Sequence, residues 1–401
     1  MEQINKAKAY IYITLLLAFT SFEFFFRDHI LLFVLALCAV VDVLMSPKKF
    51  VYSNYAIGLI FIFIIVDLLQ LGFKDNININ YVISQFIMFC GILCIANIVS
   101  TNYIKCFTNI ITFIAIYSLA IYLICLFPDI KTYLYNHIAS NGSLNVEEAV
   151  QKGGGRNFII YNFQTDFVSE VIGYSRNCGP FWEPGMFAVF LIIALFFNVF
   201  LSDKPKKYKT IILVTTLIST FSTGGFMVAL LLVAFYIINT GLTARNIMLF
   251  IPVAILTIAY VMNLEYIGEK TMHQFNTATV GSDESRYGAF ITQLDMIGAS
   301  PLIGGEKIAD YAKTKTLASG TLWPLVQYGV IAGVLYYICL LRGCFSFIDP
   351  KHMRKIIGWE LFILLIALSF SQTILLNMSI ILMIFSALIN NSKNKICLIY
   401  R

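Results

Sequence analysis

The stretch FWEPGMFAVFLIIALFFNVFLSDKPKKYK, Phe181–Lys209, decides the fold. Pro184 suits the first turn of a helix, and Glu183 sets a negative charge at the positive end of a helix dipole. From Met186 to Leu201 no charged residue occurs. A run of that length and composition is a membrane span. The basic cluster DKPKKYK, Asp203–Lys209, then marks its cytoplasmic end.

The rest of the chain repeats this pattern. Of 401 residues, 59% are hydrophobic and 12% charged, where an ordinary globular chain has about a quarter charged. The runs are apolar throughout rather than alternating, which excludes a transmembrane barrel. The expected class is an all-α polytopic integral membrane protein of about twelve transmembrane helices, with residues 1–401 forming one helical domain. The predicted spans are 9–26, 30–46, 55–73, 81–99, 107–127, 182–201, 209–221, 224–240, 246–263, 320–341, 356–370 and 373–389. STGG, Ser222–Gly225, makes a tight hairpin or kink between the seventh and eighth.

SPKKF, DKPKKYK and DPKHMRK all fall on one side in this scheme, which places both termini in the cytoplasm. The opening MEQINKAKAY runs into its span without a cleavage site and reads as a retained first helix. The net charge of +6 sits in topogenic loops, so nucleic acid is not an expected partner. Of nine cysteines only Cys178 falls in an outward loop, so no disulfide framework is expected. Cys90 and Cys94 share a helix face but have no nearby histidine, which reads as packing.

Two outward loops, about 128–181 and 264–319, exceed what crossing a membrane needs, and long loops are usually functional. In the first, GSLNVEEAVQKGGGRN reads as a flexible polar tip, and its GGGR lacks the ending of a phosphate-binding loop. In the second, Ser282 or Asp283 caps a helix that Ser300-Pro301 ends. Tyr287, Phe290, Ile291, Leu294 and Ile297 predict its apolar face, against the membrane surface or the bundle. Arg286 and Gln293 share a side, whereas Arg286 and Asp295 do not. No strong internal repeat is present, which weighs against a repeat-built transporter.

Arg176 and Arg286 stand in different outward loops, each beside a span. They either meet lipid head groups and loop acids, or converge on one anion. The guanidinium fork suits phosphate oxygens, and two fixed cations would stabilise a departing pyrophosphate. Glu183 is either a helix-start acid only, or also a base or acceptor for a sugar hydroxyl. Of the four histidines, His29, His137, His273 and His352, the last is expected on the cytoplasmic side, and the outward His137 and His273 lack metal-ligand spacing and read as surface residues. Glu23, Asp42 and Asp67 lie near span ends and are expected to reach the interface.

RNCGPFWEPGMFA resembles the R-x-x-G-x-F-x-E-P element of bacterial O-antigen and capsule repeat-unit polymerases and the related O-antigen ligases. STGG before an apolar span, SRYGAF…GASPLIGG and SGTLWPLVQYGVIAGVL resemble further elements of that superfamily, in the same order over about 165–340. The resemblance implies metal-independent, cofactor-free glycosyl transfer at the outer face of the inner membrane. Donor and acceptor would be undecaprenyl-pyrophosphate-linked oligosaccharides, with membrane lipid and a separate chain-length regulator as partners. It implies catalytic roles for Arg176, Arg286 and Glu183, and substrate contacts from Glu284, Gln293, Gly304 and Gly305. The ligases carry a histidine just before the tenth span. Here TLASGTLW has none, and Ser319 and Thr321 do not replace an imidazole, which favours polymerase over ligase. The general base is then Glu183, with Glu284 or Asp283 behind it. A glycolipid flippase is the non-enzymatic alternative.

Overall fold

The structure is a computed structural model that describes residues 2–25, 29–45, 50–74, 78–141, 156–163, 176–202, 204–241, 286–305, 319–348 and 354–399. Its contacts gather in two compact units. One holds Met1–Thr20, Asp28–Cys106 and Ala278–Arg401, and the other Ser21–Arg27 and Phe107–Thr277.

The helices α1 (Glu2–Ser21), α2 (His29–Leu44), α3 (Asn54–Phe73), α4 (Ile79–Val99) and α5 (Tyr103–Ile124) come first. A one-turn helix α6 (Pro128–Tyr133) follows, with three short strands β1 (Ser140–Asn141), β2 (Arg156–Phe158) and β3 (Tyr161–Phe163). Next come α7 (Pro184–Phe200), α8 (Lys207–Ser219), α9 (Thr223–Thr240), α10 (Arg286–Ala299), α11 (Trp323–Ser346), α12 (Ile356–Ser371) and α13 (Met378–Ile399). Every predicted span but the ninth falls on one of these helices; 246–263 lies outside the described residues. Five helices, α3, α4, α5, α9 and α11, are long and apolar enough to cross a membrane. They turn large apolar side chains outward, among them Phe61 at 65% and Phe113 at 68% exposure. Such surfaces mark contact with lipid or protein rather than water.

In the first unit α4 packs against α2, α3 and α13, and α11 against α3, α10, α12 and α13. The core is aromatic at its centre, where Phe63 stacks on Tyr328 with ring centroids 3.9 Å apart. One end of this bundle is tied by Lys8–Asp42 (2.7 Å) and by Lys393, which donates to the Asn97 carbonyl and Ser100 Oγ. Its other end is tied by the Thr20–Ser379 hydroxyl pair, 2.9 Å apart, and by Lys74 Nζ donating to Ser300 Oγ.

α11 is broken at Gly329, whose φ of 75° and ψ of 172° are not helical. The break frees backbone groups that an apolar surrounding makes costly to leave unpaired. The turn after α10 takes them up. Val330 N donates to the Pro301 carbonyl (2.7 Å), and the Val326 carbonyl accepts from Gly305 N (2.8 Å).

In the second unit α7 packs against α8 and α9. All but two of its residues are buried, as a helix apolar on every side requires. α8 returns beside α7, and Ser222 caps α9 by accepting from Gly225 N at 3.2 Å. The STGG segment is thus a tight turn between two helices rather than a kink within one.

The first long loop carries structure that the sequence pattern did not reveal. The strands pair antiparallel in the order β1-β2-β3, so the described residues are helical apart from this small sheet. Tyr161 and Phe163 pack on Ile121, Tyr122 and Cys125 near the end of α5. The stretch 142–155 of the expected flexible tip lies outside the described residues, while Arg156 and Asn157 pair within the sheet. The β2–β3 turn sets Ile159 at φ 58° with its side chain 67% exposed. A β-branched residue is strained there, by about 1–3 kcal/mol. Ile159→Gly is therefore expected to raise the unfolding midpoint in detergent; a drop would show that the side chain makes a contact worth more than the strain.

Candidate functional site

The segment Arg176–Gly185 is held from three sides within the second unit. At the end of α8, Asn177 N donates to the Ser219 carbonyl (3.0 Å) and Asn177 Nδ2 to Ser219 Oγ (2.9 Å). From β3, Asn162 N donates to the Gly179 carbonyl (2.7 Å) and Asn162 Nδ2 to the Phe181 carbonyl (3.0 Å). After α1, Glu23 N donates to the Pro180 carbonyl (2.8 Å), and Phe22 pairs with Phe181 as an isolated bridge.

The turn itself is dictated locally. Asn177 Oδ1 accepts from Gly179 N at 3.0 Å, the asparagine turn its short side chain favours. Gly179 has φ 55°, and a Cβ there would sit 2.9 Å from the Phe187 ring. Phe181 is fully buried, stacked on Phe187 (5.2 Å) and Phe190 (5.0 Å) and edge-on to Phe22 (5.3 Å). Beneath the turn, burial raises the Tyr161 phenol well above its ordinary pKa, so that it stays neutral.

Two charged side chains flank this rigid turn. Arg176 is half-buried and donates from Nε to the Thr220 carbonyl at 3.1 Å, at the negative end of α8. Its terminal nitrogens meet no acceptor among the described residues. Glu183 is the half-buried N-cap of α7, yet its carboxylate makes no capping hydrogen bond. It accepts instead from Trp182 Nε1 at 3.3 Å. Position and dipole fit the helix-start reading, while Glu183 Oε2 has no hydrogen-bond partner among the described residues. Both groups stand at the end of α7 and α8 away from the basic stretch 204–209.

The other predicted site residues belong to the first unit. Arg286 opens α10, and only its backbone is described. Glu284, Asp283 and the expected cap Ser282 lie outside the described residues, as do His273 and His352. Gln293 is fully buried and donates to the Ser319 carbonyl at 2.5 Å. Gly304 and Gly305 are buried in the turn against α11, where a Cβ on Gly304 would lie 2.5 Å from Gly329 N and 2.7 Å from the Val326 carbonyl. These three residues thus hold the α10–α11 connection together.

Of the predicted apolar face of α10, Phe290 meets the Phe370 ring and Ile297 packs on Met296 and Val326, while Leu294 is 45% exposed; the most buried side chains are Ala289, Gln293 and Met296. Of the acids expected at the interface, Asp42 accepts from Lys8 and from Tyr12 at 2.9 Å with a quarter of its side chain exposed. Asp67 is instead fully buried in α3. Sequence reasoning missed the group around it. Asp67, Gln70 and Lys74 recur at i, i+3 and i+7 on one helix face, a polar stripe within a predicted span. The eight cysteines whose side chains are described are free, and the described residues hold no cluster of three metal-ligating side chains.

The fold and the exposed apolar helix faces define the class: a helical protein built for a membrane, with five helices among the described residues long and apolar enough to cross it. No family model, curated protein or solved structure matches the chain.

Proposed function

We propose that this protein is a polytopic membrane glycosyltransferase that polymerises oligosaccharide repeat units carried on a polyprenyl pyrophosphate, at the outer face of a bacterial inner membrane. The observation that carries the reading is the turn 176–185. It fixes a guanidinium and a carboxylate at one end of a helix pair, and neither is used up by the described protein groups. The basic stretch at the opposite end favours an outward position for that turn.

In this reading a sugar hydroxyl of the acceptor attacks the anomeric carbon of the donor. Its proton passes to Glu183 as the new C–O bond forms. The bond from the anomeric carbon to the pyrophosphate oxygen breaks, and the polyprenyl pyrophosphate leaves with the electron pair. Arg176 neutralises the charge that grows on it. The resemblance also implies a catalytic Arg286, which its own variant tests below. Gln293, Gly304 and Gly305 then act through the position of α10 rather than by touching sugar.

A second reading, a transporter of lipid-linked glycan, is favoured by the buried Asp67 beside a broken helix. Complementation of a strain lacking the gene separates the readings. Loss of Arg176 or Arg286 in a polymerase leaves surface glycan capped with a single repeat unit. Absence of all surface glycan identifies a transporter, and long chains stranded on the carrier lipid identify a ligase.

A further inference from the structure

Asp67 is fully buried in α3, and neither carboxylate oxygen has a hydrogen-bond partner among the described residues. Burying a carboxylate without compensation is too costly to persist. Gln70, one turn further on, is also fully buried. Its Nε2 is committed to two carbonyls, Ile303 at 2.6 Å and Gln327 at 2.7 Å. These contacts fix the amide orientation and leave Gln70 Oε1 without a donor. Three buried acceptor oxygens, from side chains one turn apart on one helix face, therefore have no hydrogen-bond donor among the described residues.

Among the described residues the surroundings offer more oxygen and no ion-pair partner for Asp67. Tyr81 and Tyr328 lie within electrostatic reach of Asp67, and the Tyr81 hydroxyl meets Gln327 Nε2 at 3.4 Å. Lys74 is the cation on the same helix, about 10 Å further along the axis. Its ammonium is engaged by Ser300 Oγ and the Gly304 carbonyl. The α11 break at Gly329 adjoins this group through Gln327 and Tyr328.

We propose that Asp67 and Gln70, beside the broken helix α11, bind a small monovalent metal cation of the sodium class. The donor set is hard oxygen without sulfur or imidazole, which suits alkali and alkaline-earth ions. One carboxylate balances one positive charge, and an apolar interior demands that balance, which selects the monovalent ion. A proton also neutralises Asp67, but it supplies one donor. It leaves one of the three oxygens unsatisfied, whereas a cation ligates all three. The site is independent of the transfer reaction and stands whether or not that reading holds.

Unfolding of the purified protein in detergent tests this at constant ionic strength and alkaline pH, with sodium replaced stepwise by choline. The midpoint is expected to rise with sodium and saturate. Asp67→Asn is expected to abolish that response while the variant remains folded. Equilibrium binding of radioactive sodium to the unsubstituted protein gives a readout that needs no variant, and one ion per chain is expected. An identical midpoint in sodium and choline, with no bound sodium, overturns the proposal. A midpoint that responds to acid alone does so too, and assigns a proton to Asp67.

Discussion

The Arg176→Ala variant is expected to lower repeat-unit transfer by about 10²–10³-fold, the effect of deleting one preorganised group aimed at developing charge. The side chain is already oriented by its Nε bond to the Thr220 carbonyl, so little ordering remains to be done in the transition state. Arg176→Lys keeps the charge but loses the planar fork, and recovery should be partial. Glu183→Gln is nearly isosteric and keeps an oxygen for the Trp182 indole, so the turn should survive. Removal of the base is expected to lower the rate by about 10²–10⁴-fold. Turnover of a lipid-linked repeat unit by purified protein, beside an unfolding curve for each variant, checks both. Unchanged turnover in Glu183→Gln removes the carboxylate from the chemistry. If Arg176→Lys matches Arg176→Ala in activity and in lost stability, Arg176 serves only to hold Thr220.

Phe181→Ala should be among the most damaging changes to folding. The ring is fully buried, with three aromatic neighbours. Truncating such a residue costs about 3–5 kcal/mol. The loss falls on the residue where α7, β3 and the segment after α1 meet, so activity and folding should fail together. Asn162→Ala tests the same junction more gently. It leaves the Phe181 carbonyl without its side-chain donor, at a cost of about 1–3 kcal/mol. Titration with a denaturing detergent ranks the two, and Phe181→Ala should unfold first. The reverse order would mean that the ring stack adds little to the junction.

α7 was legible because its signals agree: Glu183-Pro184 opens it, a charge-free run fills it and a basic cluster follows. The inward face of α10 was legible only in part. Patterning finds the most apolar side of a helix, but lipid is as apolar as a protein core, so that side need not face inward. The helix buries most fully a small residue, Ala289, and an amide, Gln293, because Gln293 has the Ser319 carbonyl to satisfy. Asp67 was misjudged for a related reason. Its distance from the span end suggested an escape to water, and nothing in the local sequence shows that α11 and the turn after α10 close over its face. The three strands were too short for any periodicity. The candidate turn was legible in its residues, whereas its clamps at Asn162, Ser219 and Glu23 depend on long-range contacts that spacing does not encode.

The fit of the Pro301–Gly305 turn into the break of α11 has a consequence for how this protein changes over time. A methyl on Gly304 collides with the backbone of Gly329, and one on Gly329 collides with the backbone at Leu302 and Ile303. Neither position accepts a side chain while the other strand of the joint stays in place. Divergent descendants should therefore keep both glycines or discard the joint as a whole. A lineage that straightened this helix would also free the Gln70 amide from the two carbonyls it now clasps.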